Sequence, residues 1–275
     1  MQRVAEVIFI TILTIISLHY LKDLLYSSAI SICNGEFMVI LFGNKKGGVW
    51  KSLTAINLAG VAANLGMKVC IIDADTNESS NNFLRRRNET NSRLESEGKA
   101  PYPFIKGELK RPEDTLNKDV QALDKDYDLV IVDTGGYENQ AFKTAIQVAD
   151  IVYLPYQPCQ VDIEQLAPTI KVISETESFI RNVYPDFEID SRLLITGADH
   201  NSRDLVKDAK EVSKSLLPWC SISGSPISVV KAVKTCQDDG LTLSDIKHPR
   251  RAMYELLLDE ALGKRPVAIK RGEHG

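Results

Sequence analysis

From residue 38 onward, short continuous runs of apolar residues alternate with stretches in which apolar residues recur at helical spacing. The apolar runs, together with the residues that flank them, lie at 37–42, 68–73, 127–133, 150–155 and 192–196. A continuous apolar run is typical of a strand buried on both faces, as strands are in a parallel sheet. Their alternation with helices predicts an α/β fold with a doubly wound, mostly parallel sheet and helices on both faces.

The helical spacing predicts a helix that begins at Lys51 and later helices over 112–126, 163–181, 202–217 and 250–262. Asp162 directly precedes one of these helices and is predicted to be its N-cap. The triplet Arg85–Arg87 lies in a polar segment and is interpreted as a solvated helix face. Contact of the triplet with DNA phosphates or with a partner protein is the alternative.

A glycine-rich segment, Gly43–Ser52, separates the first apolar run from the helix that begins at Lys51. Glycines let backbone amides turn inward around an anion, and the positive end of the helix dipole favours a phosphate at the same place. Lys51 would reach the terminal phosphates, and the Ser52 hydroxyl would ligate Mg²⁺. The candidate nucleotide-binding residues of this loop are Gly43, Lys46, Gly47, Gly48, Val49, Trp50, Lys51, Ser52 and Leu53.

Carboxylates follow two of the later apolar runs. Asp73 and Asp75 end one run, and Asp133 ends another, with Gly135 and Gly136 directly after it. Ligand sites of parallel α/β sheets lie at the carboxyl ends of strands, and carboxylates there suit Mg²⁺-bound phosphate. Asp133 would hold the metal's water network. Of Asp73 and Asp75, one would hold the metal through water and the other would orient the attacking water, and the sequence does not say which. Solvated acids at a strand end are the alternative.

The lysine pair of the loop and the two acidic motifs resemble the deviant Walker-A P-loop ATPases of the ParA/MinD family. The resemblance rests on Lys46-Gly47-Gly48-x-x-Lys51-Ser52, Asp73-Ala74-Asp75 and residues 127–136, and it extends over about residues 38–262. It implies a P-loop NTPase fold and an ATP hydrolase that uses ATP and Mg²⁺. In this family the earlier lysine, here Lys46, reaches across a nucleotide-sandwich homodimer, so the implied catalytic residues are Lys46, Lys51, Asp73 and Asp75.

Among family members, the resemblance is greatest to ParA-like proteins that partition plasmid or chromosomal DNA. It implies slow hydrolysis that a partner stimulates, typically a ParB-like centromere-binding protein, and non-specific DNA binding at a cytoplasmic, nucleoid-associated location. Thr196 and Asp199 are implied to border the base. The basic residues implied to contact DNA are Lys231, Lys234, Lys247, Arg250 and Arg251.

Trp50 departs from the family pattern, which has glycine at the position before Lys51. A residue there commonly needs a backbone conformation that costs little for glycine and more for a bulky side chain. One interpretation is that the loop tolerates Trp50 but binds nucleotide with lower affinity. A second is that the loop no longer binds nucleotide. The third is a specialised role, such as stacking on a base or packing across a dimer.

Composition adds two constraints. The 275 residues carry a net charge of −4, which argues against a chain that coats nucleic acid along its whole surface but permits a local basic patch. The five cysteines are odd in number, scattered and without a C-x-x-C motif. They indicate neither a disulfide framework nor a zinc site, and they favour a reducing cytosol.

The ends of the chain differ from the predicted ATPase domain, residues 38–263. Residues 1–37 contain an apolar segment that is short of the roughly 20 residues that span a bilayer. We interpret this extension as a marginal membrane anchor, a helix packed on the domain or on a partner, or an extension upstream of the natural start. Residues 264–275 are predicted to be a flexible basic tail.

Two other functions fit the same motifs. The chain could be a non-hydrolysing scaffold, or a tethered positioning protein, whose nucleotide site Trp50 has weakened. It could also be a MinD-like positioning ATPase that keeps the chemistry and moves another cargo, with membrane association through residues 1–37. Nucleotide binding distinguishes the scaffold from the ATPases.

Overall fold

A sheet of eight parallel strands runs through the part of the chain that the computed structural model describes, which comprises residues 37–136, 138–198, 203–228 and 230–273. The strands are β1 (Met38–Phe42), β2 (Val69–Ala74), β3 (Ile105–Leu109), β4 (Leu129–Thr134), β5 (Ile151–Tyr156), β6 (Ser191–Ala198), β7 (Ser221–Ile222) and β8 (Ile227–Ser228). Their order is β3-β2-β4-β1-β5-β6-β7, and β8 pairs with the end of β6. The predicted mostly parallel sheet is confirmed.

Helices cover both faces of this sheet. In the described residues they are α1 (Lys51–Asn64), α2 (Ser79–Ser96), α3 (Asn117–Gln121), α4 (Gln140–Ala145), α5 (Gln160–Glu164), α6 (Ala167–Arg181), α7 (Arg203–Ser213), α8 (Lys231–Gln237) and α9 (Ala252–Ala261). Alternate side chains of β1 lie in the two hydrophobic cores on opposite faces of the sheet. Ile40 and Phe42 join the core under α1, α2, α8 and α9, whereas Val39 and Leu41 join the core under α3 to α7. The predicted doubly wound arrangement is therefore confirmed.

The helix predicted over 112–126 is much shorter in the structure, where only α3 forms. Tertiary hydrogen bonds take two groups that a helix over 112–126 would pair with each other. The Thr144 hydroxyl accepts the amide of Leu116 at 3.0 Å, and the carbonyl oxygen of Pro112 accepts the amide of Ala141 at 3.0 Å. These bonds offer the backbone an alternative to the helix.

The helix predicted over 163–181 is divided into α5 and α6. Pro168 lies in the first turn of α6, where its missing amide interrupts no helical hydrogen bond, so it favours a new helix start. The predicted N-cap role of Asp162 is wrong. Asp162 lies inside α5, whose N-cap position is Cys159, and the Asp162 carboxylate serves the phosphate loop instead.

The interpretation of Arg85–Arg87 as a solvated face is wrong for Arg87, which is 1% exposed. Its guanidinium binds the buried carboxylate of Asp245 through two hydrogen bonds of 2.7 and 3.0 Å. It also donates to the carbonyl oxygens of Pro103 and Gly240. Arg87 thus joins α2 to the segment between α8 and α9, and Gly240 approaches the α2 backbone too closely for a side chain.

The segment 264–273, part of the predicted flexible tail, makes specific contacts with the domain. Ile269 forms an antiparallel bridge with Ile222. Arg271 binds both carboxylate oxygens of Glu177, at 2.8 and 2.9 Å. The sequence contains no local signal for either contact, since the partners are distant along the chain.

No helix among the described residues is long and apolar enough to cross a membrane. The apolar segment of the N-terminal extension lies outside the described residues, so its possible role as an anchor stays a prediction.

Candidate functional site

The glycine-rich loop Gly43–Ser52 follows β1 at the carboxyl edge of the sheet. Strand β1 pairs with β4 on one side and with β5 on the other. The register places Asp133 beside Phe42, the last residue of β1, and places Asp73 beside Asp133. The topology therefore brings the loop and the predicted carboxylates to one edge, where ligand sites of such sheets lie.

The loop contains two residues in the left-handed region, Gly48 with φ 77° and Trp50 with φ 65°. Glycine adopts this region at little cost, whereas a residue with a Cβ atom pays roughly 1–2 kcal/mol. The expectation that position 50 takes a conformation suited to glycine is confirmed. The loop keeps this shape with tryptophan in place, so contacts elsewhere must stabilise it.

Hydrogen bonds between the loop and strands β5 and β6 hold the loop in place. The buried Asn44 donates from Nδ2 to the carbonyl oxygen of Pro155 at 2.8 Å, and its Oδ1 accepts the amide of Lys46 at 3.2 Å. Thr196, at the end of β6, donates its hydroxyl to the carbonyl oxygen of Val49 at 2.8 Å. Thr196 was expected to border a base, and here it supports the loop backbone. Asn44 is a site residue that the sequence motifs do not identify.

Lys51 opens α1 and is buried beside the acids of β2 and β4. Its Nζ donates to the carbonyl oxygen of Lys46 at 3.2 Å, so the side chain folds back over the loop. Burial lowers the pKa of Lys51, and the charges of Asp133 and Asp75 oppose that shift. An ammonium group enclosed by the loop is placed to meet a phosphate anion.

Asp133, at the end of β4, is fully buried and has one unpaired oxygen. Its Oδ2 accepts the hydroxyl of Ser80 at 2.7 Å, whereas its Oδ1 has no hydrogen-bond partner. Burial, reinforced by the charge of Asp73, raises the pKa of Asp133 to about 7. The Ser80 and Ser52 hydroxyls and the Lys51 ammonium oppose this rise. A buried acceptor without a hydrogen-bond partner is uncommon in a folded protein. A hydrated cation bound at this site would supply the missing partner of Oδ1.

The two carboxylates of Asp73-Ala74-Asp75 differ in how they are bound. Both oxygens of Asp73 accept backbone amides, from Asp75 at 3.1 Å and from Asn81 at 2.8 Å. The described hydrogen bonds to Asp75 instead all reach Oδ1, two of them from Asn77. Its Oδ2 faces Gly135, at van der Waals distance: a Cβ atom on that glycine would lie 3.6 Å from it. Asp73 therefore organises the turn, and Asp75 presents an oxygen to the site.

The glycines after β4 allow the chain to pass close to the phosphate loop. A Cβ atom on Gly136 would lie 2.8 Å from the Cα atom of Lys45, and one on Gly135 would lie 2.8 Å from Nδ2 of Asn139. The first contact is with backbone and cannot be relieved by a side-chain rotation. Glycine is needed here because the segment after β4 meets the phosphate loop.

Lys46, the predicted cross-dimer lysine, is paired within its own chain. Its Nζ forms a salt bridge with Oδ1 of Asp162, and Oδ2 of Asp162 accepts the amide of Gln157 at 3.1 Å. Burial alone would raise the pKa of Asp162, but hydrogen bonds from Lys46, the Cys159 thiol and Gln157 outweigh it and lower the pKa. In this structure the ammonium group of Lys46 is therefore directed toward the β5 side of its own loop.

The residues present fit a hydrated Mg²⁺ ion bound together with phosphate. Within the described ranges, no group of three or more histidine, cysteine or acidic residues could hold a metal by itself. Magnesium commonly takes one or two carboxylates, several waters and phosphate oxygens, so a site completed by the nucleotide is the expected form. The unpaired Oδ1 of Asp133 and the Ser52 hydroxyl are the groups placed to hold it.

The structure thus brings most of the predicted site residues to one edge of the sheet. Asp199 lies outside the described residues, so its expected place beside the base stays a prediction. Two further site residues are Ser80, which the sequence analysis did not identify, and Asp162, which it assigned to a helix N-cap. No local pattern identifies them, because each acts on a partner more than 50 residues away.

The family model for the ATPase MipZ matches residues 38–206, which is more than half of the chain. The protein ParA of Rhizobium radiobacter is 29% identical over 142 residues, which cover 52% of this chain. The match spans 59% of that relative's length.

Solved structures share the fold at low sequence identity. An ATP complex of a McdA variant from Cyanothece superposes with a TM-score of 0.61 at 16% identity, over 86% of this chain and 100% of that one. The MinC:MinD cell division protein complex of Aquifex aeolicus gives a TM-score of 0.58 at 19% identity, over 86% and 100%. These likenesses show the fold, and the family match adds the class of protein. The chain belongs to the MipZ ATPase family, which is of the ParA/MinD type.

Proposed function

We propose that this protein binds ATP and Mg²⁺, dimerises around the nucleotide and binds DNA non-specifically, in order to partition plasmid or chromosomal DNA. The observation that carries the proposal is the convergence of a two-lysine phosphate loop with three buried carboxylates from adjacent strands. Hydrolysis would be slow and stimulated by a partner, for which a ParB-like centromere-binding protein is our candidate. Hydrolysis would then serve to switch the protein from one state to another.

Each residue of the site has a role that its geometry supports. Lys51 would neutralise phosphate charge from within the loop. Ser52 and Asp133 would hold Mg²⁺, which supplies charge neutralisation at the β- and γ-phosphates when bound. Asp75 would orient the attacking water, and Asp73 would hold the turn that presents Asp75. Catalysis of this kind depends on positioning and electrostatic stabilisation.

A nucleotide titration tests this proposal first. The parent protein with Mg²⁺ is expected to bind a fluorescent ATP analogue with micromolar affinity. Lys51→Ala is expected to weaken binding at least about 100-fold, because it removes a buried charge that pairs with phosphate. Arg85→Ala, on an exposed side chain of α2, is the matched control and should bind as the parent does. No binding by a folded parent protein would refute the proposal and favour a scaffold.

Dimerisation provides a second prediction. Lys46 must leave Asp162 to reach a partner's phosphates, so Lys46→Ala is expected to abolish the ATP-dependent dimer while changing ATP affinity by less than about fivefold. Sedimentation velocity with and without ATP measures the first effect, and the titration measures the second. Lys45→Ala, at the exposed neighbouring lysine, is the control. An intact ATP-bound dimer in Lys46→Ala would exclude the nucleotide-sandwich arrangement.

DNA binding is proposed to use the basic residues Lys231, Lys234, Lys247, Arg250 and Arg251. Lys231 and Lys234 lie on α8, and Arg250 and Arg251 lie in the turn before α9. Arg251 also pairs with Glu255, at 2.8 Å, so its charge is partly balanced. Contacts with phosphates release counterions, and binding to DNA of unrelated sequence should therefore weaken steeply as salt is raised.

A further inference from the structure

The Trp50 ring joins the phosphate loop to the carboxyl end of β6. A Cβ atom on Gly197, in β6, would lie 2.9 Å from the indole Nε1 and 3.2 Å from Cδ1, so an edge of the ring rests against bare backbone. Gln157, just after β5, donates to the carbonyl oxygen of Gly48 at 3.3 Å. The ammonium group of Lys234, on α8, lies 5.8 Å from the ring centroid. Strand β6 and helix α8 therefore contact the half-buried ring, and Gln157 binds the loop backbone next to it.

The strand order indicates which part of a nucleotide would meet this ring. The carboxylates Asp73, Asp75 and Asp133 come from β2 and β4, on one side of β1. Those acids mark the end of the site that takes Mg²⁺ and the terminal phosphate. A nucleoside triphosphate is elongated, so its nucleoside must leave the loop away from the acids. Strands β5 and β6 lie on that other side of β1, and the Trp50 ring lies against the end of β6.

We infer that the Trp50 indole forms a wall of the nucleoside subsite, by which we mean the space beside Trp50 at the ends of β5 and β6, and that it stacks on the nucleobase. This inference rests on the proposed ATP binding and goes beyond it. An aromatic ring stacks on any base, more strongly on a purine than on a pyrimidine. Contacts with Gly197 and Lys234 fix the ring and offset the left-handed backbone of Trp50.

The test compares ATP with inorganic tripolyphosphate, which carries the phosphates without a nucleoside. Calorimetric titrations of both ligands, with Mg²⁺, are made on the parent protein and on Trp50→Leu. Leucine also has a Cβ atom, so any effect of the strained backbone acts on both ligands equally. The ratio of ATP affinity to tripolyphosphate affinity is expected to fall about tenfold in Trp50→Leu, because stacking is lost for ATP alone. Trp50→Phe, which keeps an aromatic face, should retain most of the ratio.

Fluorescence gives an independent readout that does not need a variant at position 50. The chain has two tryptophans, so Trp219→Phe leaves Trp50 as the single indole emitter. In that background ATP is expected to quench or shift the emission markedly, and tripolyphosphate is expected to change it much less. Equal responses to the two ligands would contradict a contact between the ring and the base.

The outcomes separate this inference from the proposed function. ATP binding with an unchanged ratio in Trp50→Leu overturns the stacking role and leaves the ATPase proposal intact. Tighter ATP binding by Trp50→Gly or Trp50→Leu than by the parent would mean that the ring obstructs the subsite, which also overturns the inference. Failure of the folded parent to bind either ligand overturns both.

Discussion

Asp75→Asn is expected to lower the ATP turnover rate at least about 100-fold while changing ATP affinity by less than about fivefold. The described hydrogen bonds to Asp75 all reach Oδ1, whereas Oδ2 lies beside Gly135. Oδ2 is therefore the oxygen that can contact the attacking water. A positioned carboxylate that orients water or accepts its proton contributes about 10²–10⁴-fold to a rate. Single-turnover hydrolysis and the nucleotide titration measure the two quantities separately.

Asp73→Asn is the matched variant, because it makes the same chemical change two residues away. Both oxygens of Asp73 accept backbone amides, so an amide group would place an N–H against one of those donors. A buried mismatch of this kind costs about 1–3 kcal/mol of folding free energy. We therefore expect Asp73→Asn to unfold at a lower temperature than Asp75→Asn. The roles are reversed if Asp75→Asn hydrolyses ATP normally and a fully folded Asp73→Asn does not.

Arg87→Met is expected to lower the free energy of unfolding by about 3–5 kcal/mol, the usual effect of removing one partner from a buried ion pair. Methionine keeps much of the side-chain volume, and the loss comes from the unpaired Asp245, whose side chain is 0% exposed. Urea unfolding of the purified protein measures the change. The double variant Arg87→Met/Asp245→Leu should lose less than the sum of the two single losses, since it removes both charges.

Arg85→Met is the control for this prediction. Arg85 lies on the same helix, is 66% exposed and pairs only with an equally exposed Glu89 at 3.6 Å among the contacts described. Exposed pairs contribute about 0–1 kcal/mol, so this variant should unfold almost as the parent does. A loss below about 1 kcal/mol in Arg87→Met would contradict the structural role of the buried pair.

Besides its effect on stability, the Arg87–Asp245 pair connects two parts of the domain that have proposed functions. It joins α2, directly after the Asp73–Asp75 turn, to Gly240 and Asp245, which follow α8. Helix α8 carries two of the basic residues proposed to contact DNA, Lys231 and Lys234, and the second of them lies beside the Trp50 ring. The nucleotide-binding edge and the proposed DNA surface are therefore held by the same part of the domain.

The two misassigned helical regions show why element boundaries are difficult to predict from sequence. Thr144, far along the chain from 112–126, binds the amide of Leu116 and so replaces helix by loop before α3. In this first case a tertiary contact outweighs a local preference of less than about 1 kcal/mol per residue. In the second case the local signal of Pro168 separates α5 from α6, and α5 begins before Asp162, so Asp162 lies inside the helix and pairs with Lys46 instead of capping it.

The sequence by itself determined the alternation of buried strands and helices, the phosphate loop after the first strand and the acids after the second and fourth. These are local patterns, since a parallel strand must be apolar on both faces and a loop that enfolds phosphate needs glycines and a lysine in close succession. Only the tertiary structure decided how Asp73 differs from Asp75, which side of the loop Trp50 faces, and that Lys46 and Arg87 pair with Asp162 and Asp245. Each of these depends on the atoms that the fold places around a side chain, and those atoms belong to residues that no local pattern connects.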